Sequence, residues 1–385
     1  MPDQSPDDFF LHRALDLARQ TIGLASPNPY VGAVIVDARG SIVGSGGFSY
    51  DGVKHAEILA LEQAAEKARG ATLYINLEPH AHQGRTPPCT DALIAAGIKR
   101  VVASMADPNP RVSGRGFEQL RAAGIQVEVG GLQDQARELN AAFARYIRHG
   151  LPLVTLKTAM TLDGKIDSPP ESHREPGVPA GGWITGELAR AHVQEQRHAS
   201  DAILVGVGTI LADDPLLTDR SGKPRRRPLL RVILDSHLRL PLQSRLVQSA
   251  AQGTCDDILV FCSAFDGKKK DDLQTRGVRV EQLPPETDGR PDMQAVLRRL
   301  GEVEITSVMI EGGSTVNGHA LSSGLVDKIL FYYAPQIVGE VEAVPFAAGT
   351  SFKANLPMPR VRHLRWHRFG DDIAIEGYLR DPYEE

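Results

Sequence analysis

Leu11, Leu15, Ala18 and Ile22 are apolar at helical spacing, which predicts an amphipathic helix near the start of the chain. Ser5-Pro6-Asp7-Asp8 marks where it begins, with a hydroxyl at the N-cap, proline at N1 and acid in the first turn. Ser26-Pro27-Asn28-Pro29 stops it. Residues 31–36 read as a buried strand, 37–40 as a turn and 41–44 as the returning arm of a hairpin. The pattern then alternates: helix over 55–68, strand 71–77, helix 90–96, strand 100–104, helix 117–123, strand 125–129. Such alternation predicts an α/β layer with a partly parallel sheet. One helix over 134–147 is expected to link it to the rest.

A second series begins at Leu151. Strands are expected over 153–158, 202–207, 231–234, 258–261, 278–283, 306–310, 329–333 and 373–379, with helices over 187–198, 293–300 and 315–322. The chain therefore divides into two α/β domains, 1–148 and 149–385. The stretches 167–182 and 221–228 are rich in Pro, Gly and charge and are read as surface loops.

The 385 residues are 42% hydrophobic and 24% charged, a globular composition that excludes a largely disordered chain. No apolar run approaches the ~20 residues a membrane helix needs, and no basic segment leads into an apolar one at the start, so neither a span nor a secretory signal is expected. The net charge of −5 predicts no general affinity for nucleic acid or anionic membrane. Three cysteines, Cys89, Cys255 and Cys262, make no disulfide framework and suit a reducing cytoplasm.

The chemistry concentrates in two places. His55-Ala56-Glu57 opens a predicted helix, and Leu77-Glu78-Pro79-His80-Ala81-His82-Gln83-Gly84-Arg85-Thr86-Pro87-Pro88-Cys89 runs from a strand into the next helix. A lone histidine or cysteine in such places is more often a cap or a small core residue. Together they match the layout of zinc deaminases, in which three N or S ligands hold the metal and a glutamate that is not a ligand moves the proton. A cysteine at a helix N-terminus is also biased toward thiolate.

With Pro27-Asn28-Pro29-x-Val31-Gly32-Ala33-Val34 before it and Asp107-Pro108-Asn109-Pro110-x-Val112-x-Gly114-x-Gly116 after it, this half resembles the deaminase half of the bifunctional riboflavin-biosynthesis deaminase/reductase family. The resemblance implies a cytidine-deaminase-like fold. It makes His55, His80 and Cys89 the Zn²⁺ ligands and Glu57 the catalytic proton shuttle, with Asn28, Arg85, Asp107 and Asn109 lining the pocket for a pyrimidine-ribose phosphate. Two positions depart from the family: its middle ligand is a cysteine where this chain has His80, and its histidine ahead of the G-x-x-H-A-E segment is here Phe48. His82 is a second candidate ligand.

The second series carries Lys157-x-Ala159, Trp183-Ile184-Thr185, Gly206-x-Gly208-Thr209-x-x-x-Asp213-Asp214-Pro215-x-Leu217-Thr218-x-Arg220 and Glu311-Gly312-Gly313-Ser314. A Gly-rich strand-to-helix turn can cradle phosphate, although Gly-Gly alone is usually only a tight turn and G-x-G-x-x-G is missing. These segments are similar to the reductase half of the same family, which implies a dihydrofolate-reductase-like fold and NADPH as cofactor. The resemblance places Ala159, Trp183, Thr209, Asp213, Gly313, Ser314 and Thr315 on the cofactor and Lys157, Arg197, Leu217, Arg220 and Glu311 on the substrate. The family's serine ahead of the tryptophan is Gly181 here. Lys223-Pro224-Arg225-Arg226-Arg227 reads as a charged surface loop, or else as an attractor for the cofactor's 2′-phosphate.

The implied activity is hydrolytic deamination of 2,5-diamino-6-ribosylamino-4(3H)-pyrimidinone 5′-phosphate, then NADPH-dependent reduction of the ribosyl group of the product to ribityl. The implied state is a cytoplasmic homo-oligomer joined through the reductase domain, with no nucleic-acid or membrane partner. Two rivals stand beside it. One is a reductase whose deaminase domain has degenerated, motivated by His80 and Phe48. The other is a nucleic-acid editor of the deaminase type, which the charge of −5 opposes.

Overall fold

A computed structural model describes residues 5–84, 86–167, 183–252, 257–349 and 359–384. It divides into two compact units, Met1–Gly150 with Pro224–Arg226, and Leu151–Lys223 with Arg227–Glu384. The expectations for Arg85, Gly181, Cys255 and most of the 167–182 loop fall outside the described residues.

The first unit runs α1 (Pro6–Arg19), β1 (Gly32–Val36), β2 (Ile42–Gly47), α2 (Ala56–Ala64), β3 (Thr72–Ile75), α3 (Cys89–Ala96), β4 (Arg100–Ala103), α4 (Arg115–Ala122), β5 (Gln126–Val129), α5 (Gln133–Leu139) and α6 (Ala141–His149). Ser5 caps α1 as expected: its Oγ accepts from the Asp8 N–H at 3.1 Å. Leu11, Leu15 and Ala18 are buried, while Ile22 lies past the helix end. The sheet order is β2-β1-β3-β4-β5, with β3, β4 and β5 parallel and β1 antiparallel to both neighbours. Strand β1 is buried on both faces. Ala33 and Ile35 pack under α2, α3 and α4, whereas Val34 and Val36 pack against Leu11 and Ala14 of α1. Helices on both faces of a mixed sheet form three layers.

The single helix expected over 134–147 is two helices, because Asn140 interrupts it. The buried Asn140 amide accepts from the Tyr30 N–H at 2.8 Å and donates to the Tyr30 carbonyl at 3.1 Å. It thus satisfies a backbone position that has no strand partner there, and an asparagine bonded to remote backbone is a poor helix-interior residue.

The second unit runs β6 (Leu153–Thr161), β7 (Lys165–Asp167), α7 (Glu187–Ala199), β8 (Ala202–Gly206), α8 (Val207–Asp213), β9 (Leu230–Leu234), α9 (Arg245–Gln252), β10 (Ile258–Cys262), α10 (Gly267–Gln274), β11 (Arg279–Gln282), α11 (Met293–Glu302), β12 (Ser307–Ile310), α12 (Ser314–Ser322), β13 (Lys328–Ala334), β14 (Val344–Pro345), β15 (Arg362–Phe369) and β16 (Asp372–Tyr378). Nine strands form one sheet in the order β11-β10-β9-β8-β12-β6-β13-β16-β15, while β14 and β7 pair separately. Alternate residues of β8 and β9 feed two cores. Ala202, Leu204 and Val232 meet α11 and α12, while Ile203, Val205 and Ile233 meet α8 and α9. The sequence pattern missed β15. Its residues Arg-His-Leu-Arg-Trp-His-Arg-Phe are almost all exposed, so no buried face imprints a period of two. Among the described residues no helix is long and apolar enough to cross a membrane.

Candidate active sites

Local structure brings the first site together. His55 is the N-cap of α2 and Cys89 the first residue of α3, so two helix starts converge on the loop that follows β3 and carries His80. One donor atom from each of His55, His80 and Cys89 lies within 4.8 Å of the others. His55 Nδ1 stands 3.1 Å from Cys89 Sγ, and its Nε2 meets Thr86 Oγ1 at 3.2 Å. His80 Nδ1 is buried without a hydrogen-bond partner, while its Nε2 lies 3.3 Å from Nε2 of the exposed His82. His82 is not part of the donor set.

The electrostatics suit a cation. Burial, with His82 and His55 adding, pushes His80 down to about 4 against a smaller opposing pull from the Pro87 carbonyl. A neutral imidazole is the form that binds metal. Burial and then the neighbouring Glu57 push the Cys89 thiol up. A buried thiol beside a carboxylate lacks a positive partner, and a divalent ion among these donors would supply one. The residues present therefore fit zinc: two imidazoles and one sulfur, with Glu57 buried beside the sulfur. Phe48, the second departure, is buried and sets its ring edge-on to His55, centroids 5.5 Å apart.

Asp107 and Asn109 lie on one loop, held by a residue the sequence reading passed over. The buried Glu78 accepts from the N–H groups of Asp107 at 3.0 Å, Gly114 at 2.8 Å and Gly116 at 2.8 Å. Gly116 must be glycine, since a Cβ there would stand 2.3 Å from the Pro79 carbonyl oxygen. Burial raises Asp107 to about 6, with the Asn109 N–H opposing and Glu78 adding. Asn28 is half-buried in the segment between α1 and β1.

In the second unit, Glu311 at the end of β12 gathers two cations. Arg197 donates from Nε at 2.7 Å and from Nη2 at 3.0 Å, and Lys157 Nζ stands 3.3 Å away. Burial alone would raise Glu311, but Lys157 and Arg197 outweigh it and hold the carboxyl at about 2. Arg197 also donates from Nη1 to the Thr218 carbonyl at 3.1 Å, next to the buried Leu217. Arg220 is exposed. Three residues of the sequence-derived substrate set thus meet in space, and Leu217 adjoins them along the chain.

The cofactor set is only partly gathered. Thr209, Gly313, Ser314 and Thr315 line one cleft with Gly206, Gly208, Ser236, Arg239, Arg290 and His319. Ala159, Trp183 and Asp213 are not among its lining residues. Trp183 is exposed, with the Arg190 guanidinium 5.1 Å from its ring centroid. The cleft lies where β8 and β12 end side by side. The next strand after β8 pairs on one side of it, and the next after β12 lies on the other, the kind of switch point where α/β sheets take ligands. Gly313 caps α12 without a side-chain hydrogen bond, which leaves N–H groups for an anion. Arg239 and Arg290 were not anticipated, and no residue of the 223–227 basic run lines the cleft. No local signal could have found them: they stand 51 positions apart (290 − 239) on loops that only the fold brings together.

Residues 4–105 match the family described as the cytidine and deoxycytidylate deaminase zinc-binding region, and residues 152–375 match the RibD C-terminal domain. The riboflavin biosynthesis protein RibD of Bacillus amyloliquefaciens is 39% identical over 376 residues, spanning 97% of both chains. That of Aquifex aeolicus is 40% identical over 369 residues, 96% of this chain and 97% of its own. Among solved structures, Acinetobacter baumannii RibD superposes with a TM-score of 0.81 at 34% identity, covering 97% of this chain and 98% of that one. A diaminohydroxyphosphoribosylaminopyrimidine deaminase/5-amino-6-(5-phosphoribosylamino)uracil reductase from Thermotoga maritima gives 0.79 at 35% identity with the same coverage. Matched along nearly its whole length, with a deaminase-type donor cluster in one unit and a reductase-type sheet in the other, the chain belongs to the RibD family of riboflavin biosynthesis proteins.

Proposed function

We propose that residues 1–148 carry the deaminase reaction and 149–385 the reductase reaction of one bifunctional riboflavin-biosynthesis enzyme. The observation that carries the reading is the convergence of His55, His80 and Cys89 within 4.8 Å. Those three atoms would hold Zn²⁺, which when bound would supply a water whose pKa is lowered to about 7. Glu57, buried beside Cys89, takes a proton on its carboxylate and returns it to the departing amine nitrogen of the pyrimidine. Asn28, Arg85, Asp107 and Asn109 orient the ribosylamino-pyrimidine phosphate.

In the second unit the bound cofactor would be NADPH, whose chemistry is to supply hydride to a carbon such as the ribosyl C1′. Gly313, Ser314 and Thr315 offer the α12 N-terminus to a cofactor phosphate, and Thr209 faces them across the cleft. Arg239 and Arg290 extend that anion site and take the 2′-phosphate. Ala159, Trp183 and Asp213 also contact the cofactor. Lys157 and Arg197, gathered on Glu311, suit a phosphorylated substrate, and Leu217 and Arg220 follow on the adjoining segment. The chain works as a cytoplasmic homo-oligomer through its reductase unit, a reading supported by Leu364 and Trp366, 59% and 69% exposed on β15 at the sheet edge. It takes no nucleic acid, in keeping with its net charge of −5.

A reductase with an inert first unit is not favoured, because all three donors converge despite His80. Metal analysis with separate assays of the two half-reactions tests the reading. One zinc per chain is expected. Its removal by chelation should stop ammonia release and leave NADPH oxidation running. Ammonia release that persists in zinc-free protein would overturn the deaminase assignment.

A further inference from the structure

We propose that His82 is a positioning residue for the second zinc donor: its ring accepts the Nε2 proton of His80 and so fixes the tautomer that leaves His80 Nδ1 bare toward the metal. This rests on the reading of His55, His80 and Cys89 as the zinc site.

A neutral imidazole has one protonated and one bare nitrogen, and only the bare one can ligate. In His80 the two nitrogens face different surroundings. Nδ1 is buried with no hydrogen-bond partner, whereas Nε2 lies 3.3 Å from His82 Nε2. The two rings stand 4.1 Å apart at 63°, so edges meet and the rings do not stack. A proton on Nε2 is shared with His82, whereas Nδ1 makes no hydrogen bond in its buried position. The bond selects the first arrangement, with His82 carrying its own proton on Nδ1.

His55 is built on the same plan. Its Nδ1 faces Cys89 Sγ at 3.1 Å and its Nε2 meets Thr86 Oγ1 at 3.2 Å. Both outer partners, Thr86 and His82, come from the loop that carries the second ligand. Ligating histidines characteristically bond their other nitrogen in this way, and loss of the partner costs metal affinity. The need at position 80 is particular to this chain. A cysteine there has no tautomer to fix, whereas His80 does, and a residue two positions along supplies what it lacks. The same contact argues against His82 as a ligand, since its Nε2 is turned to the outer side of His80.

The test is zinc affinity of the full chain, read by competition with a chromophoric chelator, in His82→Ala, His82→Gln, His80→Cys and the double variant His80→Cys/His82→Ala. His82→Ala should weaken zinc by roughly 10- to 100-fold. His82→Gln, whose Oε1 can accept the same proton, should recover most of that loss. In the His80→Cys background, His82→Ala should change affinity by less than about twofold, because a thiolate does not need the bond. Unchanged affinity in His82→Ala would overturn the proposal. So would an equal loss in both backgrounds, which is what a merely structural role predicts. Complete loss of metal in His82→Ala would also overturn it and make His82 itself the ligand. A wild-type chain that takes up no zinc would overturn the site assignment and the proposal together, a result distinct from all of these.

Discussion

In the first unit three donors crowd within 4.8 Å of one another beside the buried Glu57, and burial, then the Glu57 carboxylate, pushes the Cys89 thiol up. In the second unit Glu311 is also enclosed, at 11% side-chain exposure, yet Lys157 and Arg197 hold it far below the ordinary carboxylate range. One site is short of positive charge, and the other supplies it from its own side chains. The contrast teaches what each is built to receive. A buried group without its counter-charge raises the free energy of the empty site, and a cation offsets it. A carboxylate already held by two cations needs no further cation.

The strongest test of this contrast is at Glu57. Glu57→Gln keeps the shape and removes the proton carrier, so ammonia release should fall by roughly 10²- to 10⁴-fold while zinc content stays at one per chain. Retained deamination would remove Glu57 from the chemistry.

Next comes Glu311→Gln, which keeps the volume but discharges the centre of the Lys157–Arg197 cluster. NADPH oxidation should fall by about 10- to 100-fold, the scale of a lost hydrogen bond to a charged group, and ammonia release should not change. Equal loss of both activities in folded protein would argue for one composite site.

A smaller effect is expected from Arg239→Ala and Arg290→Ala. These side chains are 61% and 44% exposed, so solvent screens them. Each should lower the preference for NADPH over NADH by about fivefold, read as a ratio of dissociation constants. An unchanged ratio would take the 2′-phosphate away from them.

The smallest effect is in acid. The Glu311 carboxyl sits at about 2 in the folded chain against an ordinary 4.5. The unfolded chain therefore takes up the proton first. The stabilisation is complete above the ordinary value and is lost as pH falls from there toward 2. Urea midpoints across that window should drop less in Glu311→Gln than in the wild type, and parallel curves would contradict this.

The sequence pattern did not show β7, β14, β15 or α8, α9 and α10, but most of the other strands and helices, the Ser5 cap and the helix starts at His55 and Cys89 were legible in it. Each depends on neighbours a few residues apart, where side-chain period and capping chemistry act directly. The tertiary structure decided the rest. It broke the 134–147 helix at Asn140 for the sake of Tyr30, 110 residues away. It set Glu78 under the Asp107 loop and brought Arg239 and Arg290 to the cleft of Gly313. It also buried His80 Nδ1 without a hydrogen-bond partner and set His80 Nε2 3.3 Å from His82, the second candidate that the sequence offered. The physical reason is common to all of these. A buried polar atom needs a partner, and which partner it finds depends on how distant segments pack.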